Sequence, residues 1–512
     1  SKSAGGRITL AGGLDDGGAD AGITSPMAVA NDGFPDGYAR GELSGSQPNI
    51  VGVTMEQGSS LYSSGGDIFV AGRGSQSATA SSRESGLVLR DFIIDSGAGH
   101  IGMFGKSTST AQSISSAIDM SNNVAGYVNS IVSTNTSSDA ITIVGDASAA
   151  TAMGSAGVYS WGPSTNGGSL GTRILALGAG GGIKMVGSSN GAYNTLAGAT
   201  VFGDGVELNF TQVLATSGPI VVEGTATGNN TAGVSFSRRA SAIANDVVAI
   251  GSVAGTSYTP FGGTAVSTSS SSSDITISAD KIVAASVSGA MTNITTTGAI
   301  KIQPLSGNFG STFDNSGFTI GSAASSVTFG KDGNTGPVTV NRALTAASIS
   351  VRGGVVVLNQ ALTTNANQTR AGPISITATT SLTNSGSGSV NTSGSNSDIT
   401  IKTDTISVGA NYSAGTGAIE IAPNTAGRQI RIGANTAGFL SIDQNASTYL
   451  LAQNLRIGSA DAGAVQFNAS FTRAVSGRNT VRITTGGAVS QTAAFNITNL
   501  AIDAESTITL GS

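Results

Sequence analysis

Ser397-Asp398-Ile399-Thr400-Ile401-Lys402-Thr403-Asp404-Thr405-Ile406-Ser407-Val408 decides the fold, because the chain writes it twice. The earlier copy runs Ser273-Asp274-Ile275-Thr276-Ile277-Ser278-Ala279-Asp280-Lys281-Ile282. A companion motif follows each copy: Thr297-Gly298-Ala299-Ile300-Lys301-Ile302-Gln303-Pro304, and Thr416-Gly417-Ala418-Ile419-Glu420-Ile421-Ala422-Pro423. The offsets are 398 − 274 = 124 and 419 − 300 = 119, so the loop between the motifs differs by five residues.

Both motifs reduce to a Gly or Asp, then Ile, any residue, Ile. Side chains alternate faces along a strand, so Ile275 and Ile277 point one way and Thr276 the other. The same shape appears as Asp67-Ile68-Phe69-Val70, Gly182-Ile183-Lys184-Met185 and Gly218-Pro219-Ile220-Val221-Val222. It recurs at Gly336–Val340, Gly372–Ile376 and Gly463–Phe467. One short strand cannot bury its apolar face alone, whereas stacked copies can. The expectation is an all-β chain, a right-handed parallel β-helix (β-solenoid) with an irregular N-terminal cap or docking segment.

Composition agrees. Among 512 residues, 10% are charged and 74 are glycine, while Val, Ile and Thr are plentiful, which favours ordered β-structure over disorder. The net charge of −5 is spread thinly, so no basic face for nucleic acid is expected. No run approaches 18 apolar residues, which argues against a membrane-spanning helix. With no cysteine, disulfides and thiolate chemistry are excluded. Abundant Ser, Thr, Asn and Gly suit a secreted bacterial surface protein. Neither a leader nor an initiating Met stands at Ser1, so the chain is read as starting downstream of any signal.

Along the chain, residues 1–60 read as a cap or assembly segment, 61–200 as an irregular solenoid with long loops, and 201–512 as regular repeats. Partly helical spacing over Ala111–Ala125 predicts a short helix there. The tracts Ser267–Ser273 and Ser385–Ser397 read as loops outside the core.

The C-terminal block carries a resemblance. Ser397–Ile401, Ala414–Ile421, Gly427-Arg428-Gln429-Ile430 and Asn454–Gly463 resemble the repeats of filamentous-haemagglutinin-like large bacterial exoproteins, best over about 270–512. The resemblance implies a right-handed parallel β-helix exported to the cell surface, often by a two-partner route, with adhesion, aggregation or matrix formation as its role. The Asn-Pro-Asn signature of such a family's secretion domain is absent from this chain.

Chemistry has few candidates. The single histidine, His100, has too few partners in sequence for a zinc site or a triad, and reads as a turn residue. Asp32, Asp36 and Glu42 fail the helix-loop-helix calcium pattern, since position 3 is Phe34 and position 12 is Leu43. Asp15, Asp16 and Asp20 could gather one calcium ion with the help of turn carbonyls, but solvated turn acids are the favoured account. Arg90-Asp91 with Asp95, and Asp280-Lys281, are isolated charges rather than a carboxylate pair. Gly178–Gly182 lacks the ending and context of a phosphate loop. Arg238-Arg239 reads as a solvated pair, and the Asn-x-Ser/Thr triplets are attributed to composition rather than glycosylation.

No catalytic, cofactor or metal residue is therefore assigned, and no cofactor is expected beyond the weighed calcium. The function expected is an extracellular structural or adhesive solenoid that self-associates into filaments and meets a cell-surface or carbohydrate receptor. A carbohydrate-active β-helix enzyme or phage tailspike-like protein is the alternative. An ice-binding solenoid is disfavoured, because the outward middle residue varies through Thr276, Lys301, Ser375, Glu420 and Arg456.

Overall fold

The computed structural model describes residues 5–13, 15, 23, 27–41, 51–56, 58–74, 84–110, 115–122, 128–162, 171–192, 203–237, 247–252, 257–259, 265–268, 270–285, 291–364, 371–473 and 477–511. Nearly everything regular among them is strand; the one helix is six residues long, Gln444–Tyr449. The chain forms two compact units, dividing near Ala299 and Ile300.

In the first unit three parallel sheets share one coil. Each turn of chain contributes a strand to each sheet, and each strand pairs with its counterpart in the next turn. The first sheet stacks Ile8–Leu10, Ile68–Arg73, Ile101–Lys106, Ile141–Ala147, Ile183–Ser189, Ile220–Ala226 and Ile275–Ser278. The second runs from Val53–Met55 through Leu87–Leu89, Ile118–Ser121, Val158–Trp161, Val206–Leu208 and Val234–Phe236 to Ile282–Ala284. The third includes Ser60–Tyr62, Ile93–Asp95, Asn129–Ser133, Thr172–Ala176, Thr211–Ala215, Val247–Gly251 and Met291–Thr295. This is a parallel β-helix.

Register explains the Ile-x-Ile motif. Ile8, Ile68, Ile101, Ile141, Ile183, Ile220 and Ile275 form one column, each directly over the next. Leu10, Val70, Met103, Ile143, Met185, Val222 and Ile277 form the column two residues on. From Ile68 and Val70 onward both columns are fully buried. Neighbouring turns sit about 4.8 Å apart, so like side chains pack on like without gaps.

A third column is glycine: Gly72, Gly105, Gly145, Gly187 and Gly224 are in register. A Cβ on Gly187 would lie 2.0 Å from the Gly205 carbonyl oxygen, and one on Gly224 1.8 Å from that of Gly233. Here the end of the first-sheet strand is pressed against the start of the second, and no side chain fits between them.

The second unit repeats the logic. Val327, Ile349, Ile374, Ile399, Ile419, Leu455, Val481 and Leu500 form one column. Phe329, Val351, Ile376, Ile401, Ile421, Ile457, Ile483 and Ile502 form its neighbour. Every isoleucine of the two quoted stretches at 275, 277, 399, 401, 419 and 421, with Ile430 and Ile432, is fully buried, as alternation predicts.

Three local expectations are corrected. Ile118–Ser121, in the stretch expected to be helical, is a strand paired with Val158–Trp161; the ladder outweighs weak helical spacing. Residues 111–114 and 123–125 of that stretch lie outside the described residues. The first serine tract is not outside the core, since Ser271 and Ser273 are buried and both hydroxyls donate to the Ala215 carbonyl at 2.8 and 2.9 Å. In the second tract Val390 is fully buried and in register with Tyr412. Serine is small enough to line a tight turn and satisfies itself on the turn's carbonyls.

Residues 1–60 do two things. Ile8–Leu10 joins the first sheet as a strand, and Ala39–Arg40 pairs with Gly72–Arg73 beside it. Ile23, Met27 and Tyr38 pack on the outward face of the same sheet, against Phe69, Ala71 and Phe104. On the third sheet the outward Val132, Leu175 and Leu214 are covered by Tyr258 and Val266 of a two-stranded hairpin. Burial there pushes the Tyr258 hydroxyl up to about 12, helped by Asp95 and Tyr62.

Candidate functional site

The Asp that opens the repeated motif has a structural task. Asp398 Oδ1 accepts the Ala418 amide at 2.8 Å, and Asp274 Oδ1 accepts the Ala299 amide at 2.8 Å. Each carboxylate thus ties the corner of its turn to the start of the next Ile-x-Ile strand. Asp67 does the same for the His100 amide, also at 2.8 Å.

At that third corner a histidine replaces alanine, and its ring extends the contact. His100 Nδ1 lies 3.1 Å from Asp67 Oδ1, and Nε2 lies 2.9 Å from Ser137 Oγ. The network assigns the proton to Nδ1, donated to Asp67, leaving Nε2 to accept from the serine hydroxyl. Asp67, His100 and Ser137 come from three successive turns, 33 and 37 residues apart in sequence. The connectivity is that of an acid, a base and an activated hydroxyl.

The surroundings favour a clamp over a catalyst. Asp67 repeats the Asp274 and Asp398 staple, so its place at this corner needs no catalytic reason. The Ser137 amide, the usual first donor to an oxyanion, donates instead to Asn135 Oδ1 at 2.8 Å. The Ser137 carbonyl accepts the Ala140 and Gly182 amides. A second carboxylate, Asp139, stands 3.8 Å from Nε2 and competes for the same ring. Sequence reading missed this array because Ser137 lies three residues before its strand-opening position. Aligning the residues that precede each Ile-x-Ile pair would have put Asp67 and His100 side by side.

The remaining candidates are dispersed. Arg90 reaches Glu56 at 3.0 Å and Asp119 at 3.5 Å, an ion-pair set along the second sheet. Asp95 Oδ1 accepts the Gly97 amide, and the Asp91 carbonyl accepts that of Gly58. Asp119, Tyr159 and Glu207 share an outward column, but Asp119 faces Arg90 and Glu207 accepts from Asn209 at 3.2 Å. The Lys281 carbonyl, next to Asp280, accepts the Gly233 amide. Asp15 accepts the Asp32 and Gly33 amides, and Asp32 pairs with Arg7. Asp36 is fully buried. Asp16, Asp20, Glu42 and Arg238-Arg239 lie outside the described residues.

Gly178–Gly182 is a packing device rather than a phosphate loop. A Cβ on Gly178 or Gly181 would lie 2.2 or 2.3 Å from the Asn135 carbonyl oxygen of the turn beside it. Among the described residues these arrays join successive turns. No family model, curated protein or solved structure matches this chain.

Proposed function

We propose that this chain is a structural, adhesive β-solenoid displayed outside the cell, of the filamentous-haemagglutinin-like kind, acting by self-association and surface contact rather than catalysis. One observation carries the reading: the polar side chains with the most suggestive chemistry, at Asp67, Asp274 and Asp398, are engaged in joining one turn to the next. Absence of cysteine and sparse charge suit an exported, closely packing protein. Electron microscopy across a concentration series tests this. Filaments whose diffraction shows a repeat of about 4.8 Å along the axis are expected; dispersed particles at every concentration would overturn the filament reading.

The Asp67–His100–Ser137 connectivity favours a second reading, a serine hydrolase. A fluorophosphonate probe separates the two, since it reacts only with an activated serine. The scaffold reading expects no labelling of Ser137 above that of Ser137→Ala. Labelling that disappears in both Ser137→Ala and His100→Ala would establish the hydrolase instead.

A further inference from the structure

In the second unit, strand Phe471–Arg473 alternates inward, outward, inward, which turns an arginine into the interior. Arg473 is only 3% exposed. Its Nη1 and Nη2 donate to the Leu450 and Ala452 carbonyls at 2.9 and 2.8 Å, and its buried Nε has no partner. No carboxylate among the described residues pairs with it. Burial and the nearby charge of Arg478 push its guanidinium down to about 10, so it is still cationic at neutral pH.

A cavity of about 270 Å³ opens on this arginine, lined by Gln444, Ser447, Thr448, Thr472, Arg473 and Arg478. That is well above the roughly 30 Å³ share of one water. Gln444 holds the strand beside it, accepting the Thr472 amide at 2.6 Å, and the Ser447 hydroxyl donates to the Thr472 carbonyl at 3.3 Å. On the helix side, Asp443 is turned to the Ala446 amide at 2.6 Å as the helix cap. Two like charges therefore face one cavity without an acidic partner, an arrangement that is costly until an anion enters.

We propose that the cavity between Gln444–Tyr449 and Phe471–Arg473 is a binding site for a small oxyanion, held between the fixed Arg473 and the exposed Arg478. The guanidinium fork suits the paired oxygens of a sulfate, phosphate or carboxylate. Arg478 lines the same cavity from an exposed position, while the Thr448 hydroxyl is spent on the Asn445 carbonyl at 2.7 Å.

Isothermal titration with inorganic sulfate, phosphate and acetate, at ionic strength held constant with sodium chloride, reads this directly. Melting temperatures do not, because sulfate stabilises folded proteins in general through exclusion from their surfaces. At least one of the three ions is expected to bind saturably at one site per chain, and which ones bind defines the oxyanion class. Arg478→Ala, at an exposed position, should weaken that binding at least tenfold while leaving the circular dichroism spectrum unchanged, and Arg478→Lys should restore part of it. Saturable binding by none of the ions, or an affinity in Arg478→Ala within twofold of the parent's, would overturn the proposal.

Discussion

Ile401→Asp should destabilise the second unit by roughly 4–6 kcal/mol, the largest effect expected of any single change discussed. Ile401 is fully buried, with Ile376 on one side and Ile421 on the other in the same column. The substitution removes an aliphatic side chain that fills the column and leaves a carboxyl group with no donor in reach. The carboxyl can enter only protonated or by opening the turn. Each turn of a solenoid is held by its two neighbours, so the break should spread to both sides. Ile401→Val, which keeps the face apolar, should lose only about 1 kcal/mol. Urea denaturation followed by circular dichroism checks both, and a midpoint for Ile401→Asp equal to the parent's would refute the inward assignment.

Gly187→Ala should cost about 3 kcal/mol for the addition of one methyl group, at the upper end of what overpacking produces. The new Cβ would meet the Gly205 carbonyl oxygen at 2.0 Å and its carbon at 2.5 Å, both backbone atoms with no rotamer to relax into. The strand would have to withdraw from the corner, straining the in-register contacts with Gly145 and Gly224. Gly307→Ala is the control: its Cβ would meet nothing within 4 Å, so stability should change by less than about 0.5 kcal/mol. Equal urea midpoints for the Gly187 variant and the parent would mean that the two sheets are not pressed together at that corner.

Much of the fold was legible because its signal is local. In Ser397–Ile401 the alternation of Ile with Thr assigns strand and inward face together, and both assignments hold at 275, 277, 399, 401, 419, 421, 430 and 432. The short-range exceptions have physical causes. Ile118 and Met120 sit at spacings that weakly suit a helix, yet pairing with Val158–Trp161 makes them strand. Ser271 and Ser273 look like linker residues in sequence, but their hydroxyls reach the Ala215 carbonyl of a preceding turn. The glycine column was present in the letters as a Gly four residues after each of Ile68, Ile101, Ile141, Ile183 and Ile220. Its reason is not local, since it lies in the carbonyl of another strand.

The sequence by itself determined that this chain is a stacked parallel β-structure, which isoleucines of its repeated motifs face the interior, and that thiol chemistry is absent, because side-chain alternation and composition do not depend on distant partners. Tertiary structure alone decided who meets whom. The loops between turns vary in length, so no fixed spacing announces that Asp67, His100 and Ser137 will touch, that Met27 and Tyr38 will cover Phe69, or that Arg473 will face a cavity shared with Arg478. Those neighbours are set by strand register, and register is fixed only when each apolar column closes on the one beneath it.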